Sequence, residues 1–157
     1  MGKIVGATLC THVPRLMLPP EKREAYMGKS VSTFYKAMAD MQTRELKSLK
    51  FDTFLVFDTH WWTTLQFVMN GHPRLNGCYT SDEIPWMISN QSYDYEGDPE
   101  LASAIDMECE KMEIPTYIAR QLHLPVHYPT INTMHYLNPK SRHRVLPMSI
   151  AYTSSIE

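Results

Sequence analysis

Two short β-branched and aromatic runs, residues 3–9 and 53–57, each lead into a histidine. The first ends in Thr11-His12-Val13-Pro14 and the second in Val56-Phe57-Asp58-Thr59-His60-Trp61. Both runs read as buried strands, and such strands commit a chain to a sheet whose faces other elements must cover. In an open parallel sheet, ligands and metals collect beyond the carboxyl ends of the strands. The placement therefore predicts that His12 and His60 project into one shared crevice. Two imidazoles are two thirds of a 2-His-1-carboxylate site, which holds non-haem Fe(II) and leaves positions open for substrate and oxygen.

The remaining punctuation of the chain agrees with a layered α/β fold. A helix is predicted from about Ser30 to Leu49, with Phe34, Met38, Met41 and Leu49 as its apolar stripe. Residues 66–69 read as another strand. Residues 76–98, rich in Gly, Ser, Asp, Asn and aromatics, read as an ordered excursion beside the site. Asp98-Pro99-Glu100 opens a second helix, with an aspartate cap, a proline in the first turn and an acid at the amino end. Residues 115–119 then read as a strand, 130–137 as a short helix and 144–152 as a strand. Strands alternating with helices imply an α/β architecture with a largely parallel or mixed sheet flanked by helices. The 157 residues suit a single α/β domain. No crossover follows the last strand, which predicts that residues 1–157 are the N-terminal portion of a longer domain.

Composition excludes several classes of function. Hydrophobic residues make up 43% and charged residues 20%, with a formal charge of −2 and no lysine and arginine run, so a nucleic-acid partner is not expected. No signal-peptide pattern and no apolar stretch of membrane-spanning length are present, so a cytoplasmic location without membrane association is expected. Cys10, Cys78 and Cys109 are odd in number and lack C-x-x-C spacing, which fits free thiols in a reducing compartment.

The chemistry-bearing residues can be weighed one by one. A histidine near a strand end is commonly a hydrogen-bonded structural residue, but two in equivalent places on successive strands support a metal site. Asp58 lies two residues before His60 on the same strand face, where it could orient the imidazole as a partner beyond the ligands themselves. Glu83, Glu96 and Glu157 have no positional claim to be the carboxylate ligand. In His123-Leu124-Pro125-Val126-His127-Tyr128-Pro129, histidines that titrate near neutral pH accompany a tyrosine that can donate to developing charge. A turn packed by aromatic rings is the plain alternative there. His72, His135 and His143 read as surface or packing residues. Trp61 and Trp62 either wall an aromatic pocket or fill core.

Several segments together carry a resemblance. Thr11-His12-Val13-Pro14, Phe57-Asp58-Thr59-His60-Trp61, Tyr79-Thr80-Ser81-Asp82-Glu83-Ile84-Pro85 and Tyr93-Asp94-Tyr95-Glu96-Gly97-Asp98-Pro99-Glu100-Leu101 follow one another in the order found in class III extradiol ring-cleavage dioxygenases. Essentially the whole chain resembles this family, and most resembles its members that open 3,4-dihydroxyphenylacetate (homoprotocatechuate). The resemblance implies Fe(II)-dependent cleavage of a catechol by O2, next to rather than between its hydroxyls. It further implies His12 and His60 as iron ligands, and Tyr128, with His123 or His127 as alternatives, as the group handling a ring hydroxyl proton. A glutamate ligand and an acid–base histidine would then lie beyond Glu157, so the 157 residues alone are expected to be inactive or nearly so. A homo-oligomer is expected from the fold class. Two other readings are a catalytically silent binding or structural subunit of the same fold and, more remotely, a zinc hydrolase.

Overall fold

The segment Arg-Val-Leu-Pro-Met-Ser-Ile-Ala at residues 144–151 is apolar almost throughout, and a strand of that composition has to be covered on both faces. A computed structural model, which describes residues 2–27, 32–121 and 124–152, places it inside a four-stranded sheet. In chain order the elements are a 3₁₀ turn (Pro14–Met17), α1 (Pro20–Met27), α2 (Ser32–Asp40) running into a π-helical turn (Met41–Leu46), β1 (Thr53–Thr63), β2 (Phe67–Asn70), β3 (Arg74–Tyr79) and β4 (Gln91–Glu96). Then come α3 (Pro99–Lys111), β5 (Thr116–Ala119), α4 (Tyr128–Leu137) and β6 (Arg144–Ala151).

The main sheet has the order β1-β6-β2-β5. β1 and β6 are parallel, as are β2 and β5, while β2 meets β6 antiparallel at Met69 and Met148. Alternation along β6 divides the core between the two sheet faces. Val145 packs with Met38 of α2, with Ile131, Met134 and Leu137 of α4, and with Leu75, Tyr93 and Tyr95 of the β3–β4 hairpin. Leu146 and Met148 pack instead with Met69 and with Ala102 of α3. Each such side chain fully buried contributes roughly 1.5–3 kcal/mol, so these two clusters fix how α3 and α4 lie on the sheet.

Asp98 fastens the start of α3 to the sheet. Its carboxylate is 4% exposed, accepts from the Leu101 amide at 3.0 Å and from the Thr53 hydroxyl at 2.5 Å, and lies 3.4 Å from the Arg144 guanidinium. Gly97, just before it, passes so near the His72 carbonyl that an added Cβ would sit 1.9 Å from that oxygen.

The mixed sheet flanked by helices is the expected fold class, and strands at 66–69, 115–119 and 144–152 and helices opening at Asp98 and near Thr130 all form. Four readings change. Residues 3–9 are not a strand: the chain there forms no regular element, with Ile4 86% and Leu9 98% exposed. An apolar run becomes a strand only where a neighbour takes its N–H and C=O groups, and among the described residues none pairs with it. Second, β1 does not stop at Phe57 but continues to Thr63, so His60 lies within the strand rather than past it. Third, residues 76–98 contain most of an antiparallel hairpin, β3–β4, whose period-2 pattern turns Tyr93 and Tyr95 inward between polar neighbours. Fourth, the first long helix is helical from residue 32 to 48 with a π turn inside it, and its expected stripe residue Phe34 is 44% exposed while Met38 is 3%. Ser30 lies outside the described residues.

Candidate functional site

The register of β1 against β6 breaks where the site begins. Phe57 pairs with Met148 and Trp62 with Ile150, so Asp58, Thr59, His60 and Trp61 stand opposite Ser149 alone. A bulge of this kind bends the strand and re-aims its side chains. It turns the Asp58 carboxylate inward, to 1% exposure, and leaves His60 at the surface. Asp58 does not orient the His60 imidazole. Its Oδ1 accepts from the His60 backbone amide at 3.0 Å, and its Oδ2 accepts from the Thr130 amide at 3.2 Å and the Thr130 hydroxyl at 2.6 Å. The first turn of α4 has unpaired N–H donors, and its cap residue His127 offers no side-chain acceptor. Asp58 supplies that acceptor from β1, which ties the bulge to the start of α4.

His12 reaches the same place from the opposite side. Its carbonyl and that of Val13 each accept from the Asn132 amide nitrogen of α4, at 3.0 and 3.1 Å. The Thr59 hydroxyl lies 3.4 Å from His12 Nδ1, which leaves Nε2 as the open nitrogen of the ring. The two imidazoles meet edge to face with centroids 5.0 Å apart. Tyr128, the first residue of α4, brings its ring to 4.7 Å from His60 and 6.0 Å from His12. Its hydroxyl is 2.9 Å from His60 Nε2.

The surroundings bias protonation in useful directions. Burial, and next the adjacent His60 ring, lower the His12 pKa below its ordinary value, against an opposing pull from Asp58. His12 is thereby kept neutral, the form that ligates a metal. Burial, then the charges of Glu83, Tyr79 and Asp58, push the Tyr128 phenol up. A protonated phenol can donate to His60 Nε2 or accept from it, according to the imidazole tautomer, across the 2.9 Å contact.

The geometry can be tested for a metal. Two imidazoles on one ion, with metal–nitrogen distances of about 2.1 Å, have centroids roughly 4.6–5.3 Å apart for angles between 90° and tetrahedral. The observed 5.0 Å falls inside that range. Imidazole nitrogen suits iron, zinc, copper and nickel alike. Among the described residues no group of three or more His, Cys, Asp and Glu side chains could hold a metal ion, so the fit is that of two donors.

The other expected residues fall in different places. His127 stacks on Trp61, with centroids 6.5 Å apart. His123 and Glu157 lie outside the described residues. Trp62 is 69% exposed, so it fills no core. His143 stacks on Phe51 at 4.0 Å and His72 contacts the Gln121 carbonyl, both packing roles as expected. The three cysteines are free. No helix among the described residues is long and apolar enough to cross a membrane.

Comparison with known proteins decides the family. Residues 6–156 match the family described as the catalytic LigB subunit of aromatic ring-opening dioxygenase. The chain belongs to this family. One curated relative of the chain is the 3,4-dihydroxyphenylacetate 2,3-dioxygenase of Escherichia coli, 30% identical over 151 residues. The match covers 95% of the chain and 53% of that relative, so the chain spans about half the relative's length.

Three contributors to the candidate site carry no role in the reading of the sequence. Thr59 sits on His12 Nδ1, Tyr79 brings its ring to 6.3 Å from Tyr128, and Asn132 holds the His12 loop.

Proposed function

We propose that this chain forms part of an extradiol dioxygenase that opens a catechol with O2, with His12 and His60 as two nitrogen ligands of Fe(II). The observation that carries this reading is the pair of imidazoles 5.0 Å apart with the Tyr128 hydroxyl on one of them. Fe(II) held there would acidify the catechol hydroxyls and leave coordination positions for substrate and O2.

The chain's own residues do the rest. His12, kept neutral, offers Nε2. His60 would offer Nε2, the nitrogen 2.9 Å from the Tyr128 hydroxyl. Tyr128 would then stand beside the metal-bound catechol, its hydroxyl able to donate to, or accept from, a ring oxygen. Tyr79 beside Tyr128, and Trp61 stacked with His127, provide flat apolar walls suited to a planar ring. The name of the Escherichia coli relative makes 3,4-dihydroxyphenylacetate the first substrate to try. A carboxylate to complete the iron site is not among the described residues, and we assign it to protein outside them.

Titration of catechols into the chain, metal-free and anaerobically loaded with Fe(II), tests the reading. Binding should require Fe(II) and disappear in His12→Ala. Equal binding with and without the metal refutes it. Turnover by the 157 residues alone should be at or near zero, and vigorous oxygen uptake would overturn the two-ligand account. The two-donor count also favours a second reading, a chain that keeps the fold and binds without catalysing. That reading expects no Fe(II) dependence at all.

A further inference from the structure

Three residues at helical spacing line one face of α4, and each holds either His60 of β1 or the loop of residues 12–16. Tyr128 hydrogen-bonds His60 Nε2, Asn132 donates to the carbonyls of His12 and Val13, and Tyr136 donates to the Leu16 carbonyl at 2.6 Å. Positions four apart stack along a helix, so the 12–16 segment runs beside α4 like a rail bolted at successive turns. Asn132 is the bolt nearest the metal-binding ring. It is fully buried, both its N–H groups are used, and its Oδ1 has no partner among the described residues. A flipped amide would set that oxygen against two carbonyls, so the orientation is fixed. An apolar side chain of the same size would fill the space without stranding an acceptor. What the position uses is therefore the pair of donors.

We propose that Asn132 is a positioning residue, whose amide sets the height of His12 along α4 so that its imidazole stands level with His60 and Tyr128. This rests on the reading of His12 as a metal ligand. It assigns to Asn132 a role in metal affinity that it exerts through the backbone, with no contact to the ion.

The test uses the whole chain and Co(II) alone, with affinity from chelator competition, the Co(II) absorption spectrum as a signature of imidazole coordination, and amide hydrogen exchange over residues 11–16. Asn132→Leu should leave the helical circular dichroism in place, speed exchange at 11–16, and lower Co(II) affinity about 10- to 100-fold, with the spectrum moving toward that of His12→Ala. Asn132→Ser is the second variant should leucine prevent folding, and the same direction is expected. Tyr136→Phe, which frees the Leu16 end of the segment, should change Co(II) affinity less than about twofold. Unchanged affinity and spectrum in Asn132→Leu, with His12→Ala still weakening binding, overturns the inference and leaves the ligand reading intact. Equal losses in Asn132→Leu and Tyr136→Phe overturn it too, since general docking of the segment would then set the affinity. No effect of His12→Ala overturns the ligand reading, and the inference with it.

Discussion

Tyr128→Phe separates two roles that the site geometry combines. The Tyr128 hydroxyl and His60 Nε2 lie 2.9 Å apart, an ordinary length for a neutral hydrogen bond. If His60 ligates through that nitrogen, the bond has to break before the ion enters. A neutral hydrogen bond is worth about 1 kcal/mol net, which corresponds to about a fivefold change in an equilibrium constant. Removing the hydroxyl should therefore tighten Fe(II) binding by about fivefold. The ring stays, so its packing against His60 and His12 persists. In the complete enzyme the same variant should slow ring opening about 100-fold or more, the usual size of a lost proton-transfer group. The assay is an anaerobic Fe(II) titration against a chromophoric chelator, paired with oxygen uptake on 3,4-dihydroxyphenylacetate. Tenfold weaker Fe(II) binding would refute the reasoning, because the phenol would then be holding the ion or His60 in place rather than competing for the ring.

Three further outcomes follow from the scaffold. Asp58→Ala removes the acceptor shared by the His60 amide and the Thr130 amide and hydroxyl, and should lower stability by about 3 kcal/mol in denaturant unfolding; a loss under about 0.5 kcal/mol would mean that α4 is capped otherwise. Gly97→Ala drives a methyl group into the His72 carbonyl and should cost at least about 2 kcal/mol, read as a clear fall in Tm. Burial, followed by the neighbouring Tyr93, pushes the Tyr95 phenol up to about 12 from an ordinary 10.0. The folded chain thus keeps a proton that the unfolded chain releases above pH 10, so this stability is intact below pH 10 and drains away as the pH rises to 12. The loss is on the order of 2.7 kcal/mol, and Tyr95→Phe should flatten that alkaline slope.

The fold was legible where the chain pattern is local and strong. The Asp98-Pro99 cap and the apolar run of β6 each state their structure in a few adjacent residues. Residues 3–9 misled because an apolar run says nothing of whether a pairing partner is at hand. The β3–β4 hairpin was hidden because its inward residues, Tyr93 and Tyr95, sit among polar ones that read as loop. At the site, His12, His60 and Tyr128 lie together as the family likeness implied, although the strand-end placement argued for the two histidines did not hold: residues 3–9 form no strand and His60 lies within β1. The role of Asp58 was not legible: spacing put it beside the imidazole, but a register shift between Phe57 and Trp62 sent its carboxylate to α4. Contacts such as Asn132 to His12, 120 residues apart in the chain, leave no local pattern to read.

The central claim is that His12 and His60 ligate one ion together. Anaerobic Fe(II) titration of the chain beside His12→Ala and His60→Ala tests it directly. One equivalent should bind the unaltered chain, and either substitution should weaken that binding by at least tenfold while the circular dichroism stays the same. Fe(II) affinity unaltered in either variant would contradict the account.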